Sequence, residues 1–409
     1  MPSPAPHRIG QPSPLLAHLG LPALSCQTAL ATFARADDPA FPWHPSVRAE
    51  GAALAGRFTG LDLAQMSAER LRALSDGIAA WQAHPYRRTL PDFPSVWSSG
   101  STHLRDAAPG AAGQPVLLVP SLINRATILD LMEDCSLLRW LATEGLHPYL
   151  IDWGTPGPAE RDFGLADYGA RRLMPALAVA GALAGRKPAL LGYCMGGTLA
   201  LGLAARDPDA VAGVATLGAP WDFALADGHL KTLRTAMCAA GPDAVARTLD
   251  ALGTTFGAIP VDLFQSIFAA LNPFQANAKF RHFATLDPTS PEAVRFVALE
   301  DWLADGRPMA APAARDLIVD WHLRNDLPAG RWSFLGGPVD PSRLTAPALL
   351  VSGRRDHIAA PAMGAALAAR LPDADHLIAD TGHVGMIVGR NAQTQVWEPV
   401  RDFLLGLGG

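Results

Sequence analysis

The sequence predicts an α/β protein with a mostly parallel sheet, flanking helices and a long helical insertion before the last strands. Short apolar runs alternate with longer segments of helical periodicity between residues 115 and 217. The alternation stops over residues 221–343, where the pattern is mostly helical, and the strand pattern resumes at residue 347. Alternation of this kind is typical of parallel strands that are joined by right-handed helical crossovers.

The individual elements follow from the length and spacing of their apolar residues. Strands are predicted where short apolar runs are bounded by turn residues: 115–119, 147–151, 188–192, 211–217, 347–352 and 375–379. Helices are predicted where apolar residues recur every three or four positions: 64–82, 128–143, 168–183, 196–205 and 396–405. Residues 85–113 are rich in Pro, Ser and Gly, and we expect an extended connection there.

The pattern divides the chain into four segments. They are a leader and helical region at 1–112, a first core part at 113–220, a helical lid at 221–345 and a second core part at 346–409. Residues 1–45 contain many prolines, and we expect them to be weakly ordered. Polar residues interrupt the apolar stretch at 15–34, so neither a secretory signal nor a transmembrane segment is expected. A helix docked on the core and a helix touching a hydrophobic surface are the two alternatives for this stretch.

Composition excludes several classes of protein. Of 409 residues, 49% are hydrophobic and 17% are charged, which allows a large core and excludes disorder over most of the chain. The formal net charge is −5 and no basic run with interleaved aromatic residues occurs, so nucleic acid is not expected as a partner. The four cysteines form no CxxC pair, which argues against disulfides or a zinc site and favours the cytoplasm.

The segment GYCMGG at residues 192–197 is the sharpest functional motif. It follows a predicted strand and precedes a small-residue helix, which is the context of a nucleophile elbow. The glycines make room for a strained turn that presents Cys194, and the backbone N–H of Met195 becomes available to an oxyanion. A buried structural cysteine is the alternative interpretation. A thiolate nucleophile suits exchange between thioesters, because sulfur both attacks and departs.

Two later residues complete a predicted catalytic triad. Asp356 and His383 each follow a predicted strand, and the order Cys194, Asp356, His383 is that of the α/β-hydrolase fold. His383 would take the thiol proton, and Asp356 would either hold the imidazole tautomer or act on a second hydroxyl.

Several alternatives remain open at this stage. Asp356 also fits a helix N-cap, His357 competes for the role of base, and Asp380 competes for the role of orienting carboxylate. A second oxyanion amide is expected from the loop after the first apolar strand, at Leu122. Arg125 in the same loop either contacts a phosphate of the acyl carrier or is a solvated loop residue.

Taken together, these motifs resemble those of polyhydroxyalkanoate synthases, particularly the short class III type, over residues 115–405. The segments that carry the resemblance lie in the same order: LLVPSLINRATILDL (117–131), PYLIDWGTP (148–156), GYCMGGTLA (192–200), APWDF (219–223), LEDWLAD (299–305), FLGGPVD (334–340) and GHVGM (382–386). The region up to residue 112 departs from class III, being longer and Pro-rich. The loop at residues 120–122 lacks the aromatic residues that many synthases carry nearby.

The resemblance implies an acyltransferase that forms polyhydroxyalkanoate from (R)-3-hydroxyacyl-CoA through a Cys-linked acyl-enzyme and releases CoA. By resemblance, Cys194 accepts the hydroxyacyl group, His383 activates the thiol and Asp356 assists the substrate hydroxyl during elongation. It also implies a homodimer on polymer granules, a partner synthase subunit, and no cofactor or metal. Two competing hypotheses are a cysteine hydrolase of the esterase, thioesterase or dienelactone hydrolase kind and a non-catalytic granule-associated paralogue.

Overall fold

The structure of the protein is a computed structural model. It describes residues 14–33, residues 48–407 and the single residues 12, 35, 38, 40, 41, 44 and 45. Its central element is an eight-stranded sheet. The strands are β1 (Ser95–Ser99), β2 (Thr102–Asp106), β3 (Pro115–Val119), β4 (His147–Asp152), β5 (Ala189–Tyr193), β6 (Val214–Leu217), β7 (Ala348–Gly353) and β8 (Ala374–Ala379). Their order across the sheet is β1-β2-β4-β3-β5-β6-β7-β8.

The predicted parallel sheet is confirmed from β3 to β8. Each neighbouring pair from β4 through β3, β5, β6 and β7 to β8 is parallel, whereas β1 and β2 are antiparallel to their neighbours. Every residue of β3, β5, β6 and β7 is buried. Continuous apolar runs are expected where helices cover both faces of a sheet.

The expectation of an extended connection over residues 85–113 is wrong, because β1 and β2 lie there. The sheet therefore begins before residue 113. β2 has the sequence THLRD, whose alternating burial depends on polar side chains and gives no apolar run. Arg105 of β2 donates from Nη2 to Asp152 of β4 across 2.9 Å, so a charged pair contributes where sequence patterns count only apolar residues.

The predicted helix over residues 128–143 is wrong in its first half. A 3₁₀ turn at Ala126–Leu129 and a short two-stranded ladder precede the helix, which begins only at Leu137. The buried carboxylate of Asp130 explains this arrangement, because it accepts hydrogen bonds from Arg88, Arg139 and Ser136. A buried carboxylate needs several donors, and a regular helix would not bring these three together.

Sixteen α-helices occur among the described residues. Before β3 and between the core strands they are α1 (Leu15–Phe33), α2 (Arg48–Ala55), α3 (Gly60–Ala83), α4 (Leu137–Thr143), α5 (Leu165–Tyr168), α6 (Met174–Ala184) and α7 (Met195–Arg206). Between β6 and β7 they are α8 (Gly228–Ala240), α9 (Pro242–Phe256), α10 (Val261–Leu271), α11 (Gln275–Phe283), α12 (Pro291–Ala304) and α13 (Ala311–Arg315). The remaining helices are α14 (Pro361–Ala368), α15 (Gly385–Val388) and α16 (Glu398–Gly406). Segments of π-helix extend three of them: Gly169–Leu173, Asp316–Leu323 and Gln393–Trp397.

The chain forms two compact units. One comprises Met1–Arg87 with Gln265–Ala304, and the other comprises Arg88–Phe264 with Asp305–Gly409. We call them the helical unit and the sheet unit. The predicted segment boundaries after residues 112, 220 and 345 stay a prediction, but residues 221–345, expected as one lid, are shared between the two units.

A separate apolar core holds the helical unit together. Its buried residues come from α3, α11 and α12: Leu74, Ile78, Trp81, Ala276, Phe280, Phe283, Ala293 and Val297. Helix α3 begins with a capping box, in which Thr59 and Asp62 satisfy each other's backbone N–H groups. Most of the apolar face predicted for residues 64–82 is buried in this core, but Met66 remains 50% exposed.

Part of the leader expected to be weakly ordered is helical. Helix α1 occupies Leu15–Phe33, and the other positions up to residue 45 lie mostly outside the described residues. By length and composition α1 is apolar enough to cross a membrane, and only 6% of its apolar window is buried in the structure. One such helix near an N-terminus is weak evidence for a membrane span.

Gly77 allows α3 and α11 to approach closely. A Cβ atom at Gly77 would lie 2.0 Å from the carbonyl oxygen of Phe280, which is backbone and cannot move aside. At Gly60, at the start of the same helix, a Cβ would meet nothing within 4 Å.

We therefore expect Gly77→Ala to destabilise the helical unit by about 1–3 kcal/mol, because overpacking outweighs the better helix propensity of alanine. Gly60→Ala is the matched control and should leave stability unchanged or slightly raised. Urea denaturation followed by circular dichroism measures both variants. Equal stability of the two variants would contradict the described packing of α3 against α11.

Candidate active site

Cys194 lies at the turn between β5 and α7. Its backbone has φ 56° and ψ −132°, in a region that residues with side chains rarely adopt. Its N–H donates to the carbonyl oxygen of Leu217 on β6 across 2.9 Å, and its own carbonyl accepts from Gly197 across 2.8 Å. The turn thus raises the Cys194 side chain above the carboxyl ends of the strands, as the motif predicts.

Two glycines make this turn possible. A Cβ at Gly192 would lie 2.3 Å from the Cα of Gly197, and a Cβ at Gly196 would lie 2.1 Å from the carbonyl oxygen of Val119. The close packing of α7 against β5 and against the end of β3 therefore requires glycine at both positions.

His383 and Asp356 lie on loops that follow β8 and β7. His383 Nδ1 is 2.6 Å from Asp356 Oδ2, and both side chains are buried. The other carboxylate oxygen of Asp356 accepts hydrogen bonds from the backbone N–H groups of Ile358 and Ala359, each at 2.8 Å. The side chain of Cys194 lies close enough to the imidazole to affect the pKa of His383. His383 thus lies near Cys194 and is hydrogen-bonded to Asp356.

The electrostatics of this chain favour a charged imidazole. Burial by itself lowers the pKa of His383, but the charge and hydrogen bond of Asp356, together with the interaction with Cys194, raise the pKa of His383 well above its ordinary value. An imidazolium next to a thiolate is the arrangement that activates a cysteine nucleophile.

Neighbouring side chains that sequence reasoning missed hold the imidazole in place. Tyr193 packs against His383 with ring centroids 5.3 Å apart. Gly218, which has φ +59°, is so close that a Cβ there would lie 3.0 Å from His383 Nδ1. The same Cβ would lie 2.7 Å from Cε of Met386, a residue of the segment GHVGM. The position of Tyr193 next to Cys194 could have drawn attention to it, and Gly218 directly precedes the segment APWDF at 219–223.

The two predicted oxyanion amides lie on the expected segments. Met195 is the first residue of α7, and Leu122 lies on the loop that follows β3. Among the described residues, neither backbone N–H donates a hydrogen bond to another group of the chain. Trp153 fixes the beginning of the loop by donating from Nε1 to the carbonyl oxygen of Pro120 across 3.0 Å. Both amides are thus without a partner among the described residues, and their role stays a prediction.

The structure places the alternative residues away from the imidazole. His357 is 68% exposed and faces Asp227, at 4.0 Å. Asp380 is 62% exposed and lies 3.4 Å from Arg355. Arg125 forms an ion pair with Asp305. The geometry therefore favours Asp356 over Asp380 as the partner of His383.

The other cysteines lie in different surroundings. Cys135 is buried in the short ladder before α4, and Cys238 is half-buried on α8, with its sulfur 3.9 Å from the carbonyl oxygen of Leu323. Cys26 lies on α1. In the part of the chain that the structure describes, no group of three or more His, Cys, Asp or Glu side chains is placed to hold a metal ion.

Comparisons with known proteins agree with the predicted fold and family. A sequence model of the α/β-hydrolase fold matches residues 177–390. The chain is 33% identical to the poly(3-hydroxyalkanoate) polymerase subunit PhaC of Synechocystis sp. over 295 residues, covering 71% of this chain and 77% of that protein. It is 30% identical to the protein of the same name from Allochromatium vinosum, covering 73% of this chain and 82% of the relative.

The pair Asp356–His383 leads to a titration experiment. We expect Asp356→Asn to lower the pKa of His383, because the variant removes the negative charge that opposes the effect of burial. NMR titration of protein with isotope-labelled histidine measures this pKa. Asp380→Asn is the matched control and should leave the pKa of His383 unchanged. A similar decrease in both variants would mean that Asp356 is not the dominant partner.

Proposed function

We propose that this chain, which belongs to the poly(3-hydroxyalkanoate) polymerase PhaC family of the α/β-hydrolase fold, forms polyhydroxyalkanoate from (R)-3-hydroxyacyl-CoA thioesters. The observation that carries the proposal is the position of Cys194 at a nucleophile elbow, close to a His383 that is hydrogen-bonded to Asp356. Relatives of this name supply the substrate class, and the arrangement of the three residues supplies a mechanism that suits thioesters.

In the first step, the Cys194 thiolate attacks the thioester carbonyl. The carbon–sulfur bond to Cys194 forms, the bond to the CoA sulfur breaks, and CoA departs as a thiolate that takes a proton from the His383 imidazolium. The N–H groups of Met195 and Leu122 are proposed to stabilise the oxyanion of the tetrahedral intermediate. The product is a hydroxyacyl group held as a thioester on Cys194.

In the second step, a hydroxyl group of another hydroxyacyl unit attacks this thioester. His383 takes the hydroxyl proton, the new ester bond forms and the Cys194 thiolate is released. The chain grows by one unit in each cycle. His383 must be neutral when the hydroxyl group attacks, so that it can accept the hydroxyl proton. Release of the Cys194 thiolate then restores the pair of imidazolium and thiolate.

The contacts of Asp356 indicate how it assists. One of its oxygens is occupied by two backbone N–H groups and the other by His383, and the side chain is 1% exposed. We therefore propose that Asp356 acts on the substrate hydroxyl through His383 and not by direct contact. Its role is to hold the tautomer and to stabilise the imidazolium.

The proposal also includes where the protein is located and what it binds. Four free cysteines fit a reducing cytoplasm, and the exposed apolar residues of α1, such as Leu16 and Leu24, fit contact with the polymer surface. The word subunit in the names of the relatives is consistent with a partner synthase subunit, and we propose such a partner and a homodimer for this chain.

We expect Cys194→Ala to reduce CoA release from 3-hydroxybutyryl-CoA at least about a thousandfold, because the variant has no nucleophile. Detection of the free CoA thiol with a chromogenic disulfide measures this rate. Cys238→Ala, which changes a half-buried cysteine of the same unit, is the control and should retain activity. Full activity of the Cys194 variant would contradict the proposed mechanism.

The product distinguishes polymerisation from the competing hydrolysis by the same triad. Insoluble polyester that forms in step with CoA release is the expected result, and methanolysis followed by gas chromatography quantifies it. Release of soluble 3-hydroxybutyrate in equal amount to CoA would identify a hydrolase instead. No CoA release from the native protein with any hydroxyacyl-CoA would favour a non-catalytic paralogue.

A further inference from the structure

The helical unit contains a cavity that the proposed reaction does not use. Its volume is about 690 Å³, and one face each of α1, α3 and α11 lines it. This size lies within the range of about 300–1,000 Å³ that is typical of small-molecule sites. Residues lining the cavity follow helical spacing: Leu63, Met66 and Arg70 on α3, and Asn277 and Arg281 on α11.

Asn277 forms a polar floor of the cavity, and its side-chain amide lacks hydrogen-bond partners among the described residues. The side chain is 2% exposed, and neither its Oδ1 nor its Nδ2 has a hydrogen-bond partner among the described residues. One turn later on the same face, the buried Nε of Arg281 also lacks a partner. Buried polar groups of native proteins are nearly always satisfied by protein, ordered water or a ligand, so an unpaired amide next to an unpaired guanidinium nitrogen marks a place where a polar partner can bind.

The chemistry of these groups defines the ligand. Asn277 offers one acceptor and one donor, and Arg281 offers a further donor with positive charge. A hydroxyl group satisfies the acceptor Oδ1, and a carboxylate satisfies the donors Nδ2 and Nε. The half-exposed Phe274 and Met66 form an apolar part of the wall, and Ser25, Ser67, Glu69 and Arg70 also line the cavity. An aliphatic chain that bears both a hydroxyl group and a carboxylate meets all three requirements.

We propose that this cavity binds the anion of an aliphatic hydroxyacid, either a free monomer or the carboxylate end of a short oligomer. The choice of this ligand class rests on the proposed polymerase function, whereas the cavity and its unpaired groups do not. The site lies on residues of the helical unit and does not include Cys194, His383 or Asp356. A partner helix is a poorer occupant, because its backbone groups are already paired and offer nothing to Asn277.

Other residues hold the floor of the cavity in position. Lys279 and Glu300 form an ion pair at 2.7 Å, and Trp81 packs edge-on against Phe280 with centroids 5.9 Å apart. Because these contacts fix α11, they also help to hold Asn277 and Arg281 at the cavity.

Calorimetric titration of the full chain with (R)-3-hydroxyoctanoate tests the proposal. This acid is not a thioester, so binding is measured independently of turnover. We expect saturable binding that Asn277→Leu and Arg281→Met each weaken about tenfold or more, because each leaves ligand groups unpaired. Asn391→Leu, at an exposed asparagine of the sheet unit, is the matched control and should bind normally. Cys194→Ala should also bind normally.

Further arms distinguish the outcomes. Ala29→Trp, which fills the cavity from α1 without changing a polar group, should abolish binding and controls for misfolding at Asn277. Octanoate should bind more weakly than the hydroxyacid, since it leaves Asn277 Oδ1 unpaired. A titration of (R)-3-hydroxybutyrate trimer determines whether monomer or oligomer is preferred. Absence of binding, or binding that Asn277→Leu and Ala29→Trp leave unchanged, would overturn the inference. If the native protein released no CoA, this result would refute the proposed reaction and not the binding site in the helical unit.

Discussion

The backbone turn at Cys194 is the constraint on which the rest of the structure depends. Its positive φ is costly for a residue with a side chain, and the hydrogen bonds to Leu217 and Gly197 compensate for it. The turn is compatible only with glycine at 192 and 196, because α7 must approach both β5 and the end of β3. The same approach places the first amide of α7 and the loop after β3 next to the nucleophile. Backbone strain and the two glycines are therefore consequences of one packing arrangement, on which the proposed oxyanion site also depends.

The imidazole of His383 links that turn to the second half of the core. It is held by a carboxylate on one side, by a tyrosine ring on its face and by a glycine whose missing side chain makes room for it. Because Asp356 is itself anchored by two backbone amides, the imidazole has little freedom to rotate. Preorganisation of this kind means that the protein does not need to reorganise as charge develops in the transition state. The same arrangement also raises the pKa of His383.

The sequence alone predicted the parallel part of the sheet, because apolar runs are a local signal. It also predicted the candidate residues Cys194, Asp356 and His383, because the glycine motif at Cys194 is a local signal as well. It was insufficient for β1, β2 and the segment before α4, because charged pairs such as Arg105 with Asp152 and Arg88 with Asp130 stabilise them. Such pairs join positions far apart in the chain, and no periodicity reveals them. The division of residues 221–345 between two units was likewise invisible, because helical periodicity states which face is buried but not against what.

Identification of the residue that becomes acylated tests the central claim most directly. Protein incubated briefly with 3-hydroxybutyryl-CoA, quenched in acid, digested and analysed by mass spectrometry should carry a hydroxybutyryl group on the peptide that contains Cys194. The modification should be labile to hydroxylamine at neutral pH, as a thioester is. An acyl group on Cys26, Cys135 or Cys238, or turnover without any acylated cysteine, would contradict the account of Cys194 as the nucleophile.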